Sequence, residues 1–456
     1  IRMDSWWMST ATDMKISFHG GAREVTGACH LIETEKTKLL IDCGLFQGSS
    51  DCEDLNFEPF GFDPKKIDAL IVTHGHLDHV GRIPKLVREG FQGVIYSTPA
   101  TRDLARLILE DALSLARRNN EELYTSQDLE KTFQQWKTIQ RHTPLEVGDI
   151  KFQLRNAGHI LGSCLIELWV ENKHWLFSGD LGNTPSELLP DPDAIKGIEY
   201  LVVESTYGSR AHEPAAERQI LLERAVEDAA ARRGTLMIPA FAAERTQDIL
   251  FLLNDMVHHK RIPEIPVFVD SPLAIRITEV FEQHIEEYKD EIKALWQKHP
   301  NLFKFKRLRM TPSVEESKAI NNVPQPKVVI AGSGMMTGGR ILHHARRYLS
   351  DEKSILLVIG YQASGSLGRR LLDGDKLVKI LGEEVSVRAE IRKINGFSAH
   401  ADNPQLFAFV DANRDTLKHV FVVQGEEPQA LHFAQEIKDR LGITADAPVL
   451  HQGLEI

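Results

Sequence analysis

Thiols are scarce in this chain. Its 456 residues hold four cysteines, Cys29, Cys43, Cys52 and Cys164, and no CxxC pair. That is too few for a disulfide scaffold at this length, and it fits structural thiols in a reduced, cytoplasmic setting. Long apolar runs are missing as well. No stretch suffices to cross a bilayer, and no secretory pattern opens the chain, so no membrane partner is expected. An excess of positive charge is also lacking, since the formal net charge is -11. This argues against a generic nucleic-acid coat, which is usually basic. It leaves room for an enzyme that grips phosphates locally with metal ions and a few arginines.

What remains is ordinary globular material, 42% apolar and 26% charged, and enough of it for two or three domains with substantial cores. Residues 1–13 do not look like the start of a fold and read as an expression remnant or a disordered arm. Strand-like sequence begins at Met14. From there to residue 207, short strands alternate with glycine-rich turns. Between 208 and 384, strands and helices alternate, which implies an α/β unit around a mostly parallel sheet covered on both faces. The strand-rich texture returns over 385–456. The pattern predicts one domain, 14–207 completed by 385–456, interrupted by a second, 208–384.

The densest chemistry lies in Thr73-His74-Gly75-His76-Leu77-Asp78-His79. The apolar, β-branched run Ala69–Thr73 predicts a buried strand before it, and Val80–Arg88 has helical spacing after it. The cluster therefore falls on a strand-to-helix loop, a common place for function in layered α/β proteins. His74 and His76 point to one side of an extended loop, while Asp78 and His79 can serve a second point. Imidazole suits zinc, and a carboxylate beside it suits a second divalent ion. A polar turn with chance histidines is the alternative, and it fails because partners follow downstream. His159 sits after a glycine on a strand-end loop. Asp180 ends a strand in Ser178-Gly179-Asp180, placed to bridge two metals. Asp42, at the end of the predicted strand 38–42, either orients a ligand histidine or is a plain turn aspartate.

Three further stretches carry signals. Glu204 closes an apolar strand in Glu204-Ser205-Thr206-Tyr207-Gly208. His400 lies in Phe397-Ser398-Ala399-His400-Ala401-Asp402. The loop Gly332–Arg340 joins a strand to a helix and either lets backbone N–H groups approach a phosphate or merely packs. It is no Walker loop, because no Gly-Lys-Ser/Thr follows. The basic run Lys304–Arg309 either guides a polyanion or is a solvated face.

Together these residues resemble the metallo-β-lactamase fold, in its β-CASP nuclease branch, over about residues 14–456. Asp42, the 74–79 loop, His159 and Asp180 match successive metal motifs of the superfamily. Glu204 matches the acidic β-CASP motif and His400 the later histidine motif. Gly332–Arg340 and Gly360–Gly365 also look like family signatures. The resemblance implies an αββα sandwich interrupted by a β-CASP domain, and a Zn2+-dependent ribonuclease. His74, His76 and His159 would hold one zinc, and Asp78 and His79 a second, with Asp180 between them. Metal-activated hydroxide would attack the phosphodiester of single-stranded RNA, mainly at internal positions. Asp78, His400 and Glu204 form the expected catalytic set, with His400 as general acid and Glu204 orienting it. Ser333, Arg340, Tyr361 and Ser398 are candidate phosphate contacts, and a homodimer is plausible from relatives.

One position departs from the pattern. The last strand normally delivers histidine in a Val-His-Gly-Glu context, and here Val423-Gln424-Gly425-Glu426 stands instead. Glutamine is a weaker zinc ligand than imidazole, so a weakened second metal site is expected. The competing functions are a non-catalytic RNA-binding protein of the same build, a small-molecule hydrolase of the superfamily and a DNA nuclease. The large insert argues against the small-molecule hydrolase.

Overall fold

The computed structural model describes residues 14–362 and 365–456. The segment 1–13, expected to be a remnant or arm, lies outside the described residues, as do Ala363 and Ser364 of the Gly360–Gly365 signature.

Two seven-stranded sheets form the sandwich. The first runs, in spatial order, Gly453–Glu455, Lys15–Phe18, His30–Glu33, Lys38–Ile41, Ala69–Ile71, Val94–Ser97 and Trp136–Thr138. The second runs Thr444–Asp446, His419–Val423, Tyr200–Glu204, Lys173–Phe177, Cys164–Val170, Ile150–Asn156 and Leu145–Val147. Phe18, Ile32, Ile41, Phe152, Trp175 and Phe421 pack between them. Alternation of apolar side chains along each strand puts one set into this layer. The other set meets the helices outside. Leu40, Leu70 and Val72 face Leu86 and Leu109 of the helices Ile83–Arg88 and Pro99–Asn119. Leu201 and Val422 face Phe433 and Ile437 of the helix Glu427–Leu441. This is the expected αββα arrangement.

A third sheet of six strands, all parallel, forms the inserted α/β unit. Its order is Leu308–Met310, Val267–Val269, Lys327–Ala331, Thr235–Pro239, Ile355–Val358 and Glu390–Lys393. The start of the segment 385–456, expected to complete the sandwich, divides between two other places. Glu383–Ser386 pairs with Leu377–Ile380 in a hairpin, while Glu390–Lys393 joins the third sheet beside Ile355–Val358. The chain thus leaves the third sheet at Lys393 and enters the site within a few residues. Ile160, Leu161 and Leu188 of the sandwich share a core with Leu222, Ile249 and Ile277 of the insert.

Candidate metal centre

Strand ends deliver the site. Asp42 follows Lys38–Ile41, Thr73 follows Ala69–Ile71, Glu204 ends Tyr200–Glu204, and Gln424 follows His419–Val423. Asp42 and Gln424 take φ of 56° and 49°. Non-glycine residues seldom occupy this region, and here the bend turns both side chains off their strands.

Four ligand-type atoms converge. His74 Nε2 lies 3.1 Å from His76 Nδ1 and 3.4 Å from Asp180 Oδ2. His159 Nε2 lies 3.3 Å from His76 Nδ1 and 3.2 Å from Asp180 Oδ2. A tetrahedral zinc with bonds of roughly 2.0–2.1 Å has ligand–ligand edges of about 3.3 Å, so this donor set fits such an ion. The outward ring nitrogens are occupied too. Thr73 Oγ1 is 3.1 Å from His74 Nδ1 and donates to Asp42 Oδ2 at 2.7 Å. His159 Nδ1 is 3.2 Å from the Ala399 carbonyl oxygen. These contacts orient the His74 and His159 rings with Nε2 facing inward, as partners of metal-binding histidines do, while His76 faces the cluster with Nδ1.

The second constellation uses the other oxygen of Asp180. His79 Nε2 lies 3.2 Å from Asp180 Oδ1 and 3.9 Å from Asp78 Oδ2. Asp42 Oδ2 accepts from His79 Nδ1 at 2.7 Å, which ties Asp42 to that histidine rather than leaving it in a free turn. Gln424 donates through its amide nitrogen to Asp180 Oδ1 at 2.6 Å, with that nitrogen 3.0 Å from His79 Nε2. A hydrogen-bonding amide therefore stands where the family pattern puts an imidazole.

Glu204 is fully buried, and both its oxygens lie 3.1 Å from His400 Nδ1. Leu181 N–H also donates to Glu204 Oε1 at 2.7 Å. Asp180 Oδ2 is 3.8 Å from the same ring nitrogen, so the dyad borders the metal ligands.

Charge follows burial and neighbours. Burial pushes His76 and His159 far below the usual imidazole range, which suits ligands that must be neutral. Burial alone would raise Asp180, but the imidazoles of His79, His74, His400 and His159 outweigh it and keep it ionised. Burial would likewise lower His400, yet the carboxylates of Glu204 and Asp180 lift it to about 9. Its Nδ1 is tied to Glu204.

The phosphate candidates are dispersed. Ser398 lines a small cavity with His159, Arg218 and Arg245. Ser333 accepts from the Thr337 and Gly338 amides inside its own loop. Tyr361 donates its hydroxyl to Glu426 at 2.7 Å. Arg340 is engaged by Asp270 and by the carbonyls of Thr311 and Pro312. Sequence reasoning assigned no role to Thr73 or to the Ala399 carbonyl. Thr73 precedes the first ligand histidine, and that adjacency was the one available signal. A backbone carbonyl has none.

Three family models match the chain: a metallo-beta-lactamase superfamily model over residues 22–240, a Beta-Casp domain model over 246–371, and a Zn-dependent metallo-hydrolase RNA specificity domain model over 384–448. The chain is 38% identical to Ribonuclease TTHA0252 of Thermus thermophilus, covering 92% of this chain and 94% of that protein. It is 33% identical to transcription termination factor FttA of Methanocaldococcus jannaschii, over 96% of this chain and 70% of that protein. It is 32% identical to an RNase J-like protein of the same organism, over 95% and 98%. A crystal structure of a protein of unknown function from Enterococcus faecalis shares the fold at TM-score 0.57 and 12% identity, covering 97% of this chain and 100% of that one. With the lactamase-type sandwich, the parallel-sheet insert and the histidine–aspartate cluster in place, the chain belongs to the β-CASP ribonuclease branch of the metallo-β-lactamase superfamily.

Proposed function

We propose that this protein is a zinc-dependent ribonuclease that cuts single-stranded RNA, mainly at internal positions. The observation that carries the reading is the four-atom cluster of His74, His76, His159 and Asp180, with the His400–Glu204 dyad against its Asp180 edge. The relative named a ribonuclease supports RNA as the substrate. Zinc held there supplies an acidic water and positive charge beside the scissile phosphate.

The chain's own groups do the rest. Asp180 presents one oxygen to each constellation, so it links His74 and His159 to His79. Asp42 and Thr73 hold the ligand rings against rotation. Glu204 fixes His400 through Nδ1, and His400 gives a proton from Nε2 to the departing oxygen. Asp78 borders the second position with His79, and the Gln424 amide ties Asp180 in place there. Zinc at that second position is then weakly held. Ser398 is the phosphate contact closest to the ligands. Ser333 lies further along the insert, and Arg340 and Tyr361 would exchange Asp270 and Glu426 for phosphate when RNA arrives. On this reading the insert would form a slot over the cluster that admits one strand and excludes duplex.

The test is cleavage of a labelled single-stranded RNA beside the same sequence as duplex RNA and as single-stranded DNA, with and without a chelator. We expect internal cuts in the single-stranded RNA alone, abolished by chelation. His400→Ala should slow cutting by about 10²–10⁴-fold at unchanged zinc content. RNA binding without cleavage, or preferential cutting of DNA, would overturn the proposal.

A further inference from the structure

The segment before His400 has four consecutive carbonyls that all accept hydrogen bonds, three of them from Asn183 and two from arginines. Arg218 donates to Gly396 O at 2.9 Å, and Asn183 adds a bond at 3.2 Å. Arg245 donates to Phe397 O. Asn183 donates to Ser398 O at 3.0 Å through its side chain and to Ala399 O at 2.8 Å through its backbone. Ala399 O is also the partner of His159 Nδ1. Both arginines belong to helices of the inserted unit, Ala215–Arg232 and Arg245–His258. Asn183 and His159 belong to the sandwich.

The insert also grips the other side of the site. Glu244, buried at φ 66°, accepts through Oε2 from the Leu161 amide, two residues past His159. Arg245 is braced in turn by Asp248 at 2.7 Å. Adjacent residues of one helix start, Glu244 and Arg245, thus reach the loop of a metal ligand and the turn of the proton donor. A strained non-glycine backbone persists only where surroundings over-determine it.

We infer that Arg245 and Arg218 are positioning residues, through which the inserted domain sets the path of 396–399 and hence the placement of His400. This inference rests on the ribonuclease reading for its kinetic arm. Misplacing a reacting group by about 1 Å can cost 10²-fold in rate. Neither arginine needs to touch RNA for this.

The experiment compares Arg245→Ala, Arg218→Ala and Arg245→Lys with the parent protein at saturating zinc. We expect kcat to fall by about 10–100-fold in the alanine variants with KM within about twofold, and lysine to recover part of the loss. Hydrogen exchange of peptides spanning 396–401 should quicken in Arg245→Ala. A rise in KM alone would make the arginines RNA contacts and overturn the inference, as would unchanged kcat. Should Arg245→Ala fail to fold, Arg245→Lys decides: lower kcat at constant KM upholds the inference and unaltered kcat refutes it. If the parent cuts no RNA, the ribonuclease reading falls. The exchange measurement then decides alone: faster exchange at 396–401 upholds the clamp and unchanged exchange refutes it.

Discussion

At the scale of one residue, Gln424 is the most informative position. Its side chain can donate and accept, whereas a neutral imidazole offers a metal one strong lone pair. In this structure its nitrogen is spent on Asp180 Oδ1. An ion at the second position must break or rotate that amide, which lowers affinity there and leaves the first position alone. Zinc titration with metal analysis should find one tightly bound zinc per chain. Gln424→His should add a second of comparable affinity and raise the cutting rate. Two tight zincs in the unaltered protein, or no rate gain on substitution, would contradict this.

At the scale of elements, the edge of the third sheet carries a charged cluster away from the metal ligands. Asp270 follows Val267–Val269 and is fully buried. Burial would raise its carboxyl, but bonds from His344, Ser317 and Arg340 outweigh that and hold it at about 2. A carboxyl lowered on folding stabilises the protein above its unfolded value near 3.8, and that gain is lost as pH falls toward about 2. At neutral pH the contribution is about 2 kcal/mol, and leaving Arg340 and His344 unpaired adds to the loss. Asp270→Asn should therefore lower the thermal midpoint at pH 7, with a smaller gap to the parent below pH 4. A constant gap across that range would count against the account. The Gly332–Arg340 loop belongs to this edge, which explains why a glycine-rich, phosphate-like sequence is occupied by internal bonds here.

At the scale of the whole molecule, the core shared by the insert and the sandwich predicts that the two unfold together. Ile160, Leu161 and Leu188 pack among residues of the insert, and each is at most 1% exposed. Cutting Leu188 to alanine should cost about 2–5 kcal/mol, the usual range for a buried leucine. Calorimetry should show one transition shifted downward rather than two that separate. Two transitions, with only one displaced, would mean that the shared core does not couple the units. The negative net charge belongs to this scale as well. RNA grip must come from local groups, since the protein as a whole repels a polyanion.

Much was readable from residue order, because strands and turns announce themselves over short windows. The β-branched run before His74 predicts a buried strand, and one ends at Ile71, with His74 and His76 on the loop beyond, whereas Asp78 and His79 lie in the short helix Leu77–Val80 rather than on that loop. The alternation of strands and helices after residue 208 implies a parallel sheet, and all six strands of the third sheet are parallel. Residue order alone also determined which groups could bind metal, since imidazole and carboxylate chemistry does not depend on the fold. Only the tertiary structure decided how they are shared: Asp180 with one oxygen toward each constellation, Asp42 behind His79, Arg340 turned to Asp270, and Arg218 and Arg245 on the carbonyls before His400. Those pairings join residues up to 178 positions apart. They depend on which strand ends meet at one edge, and no local pattern encodes that distance.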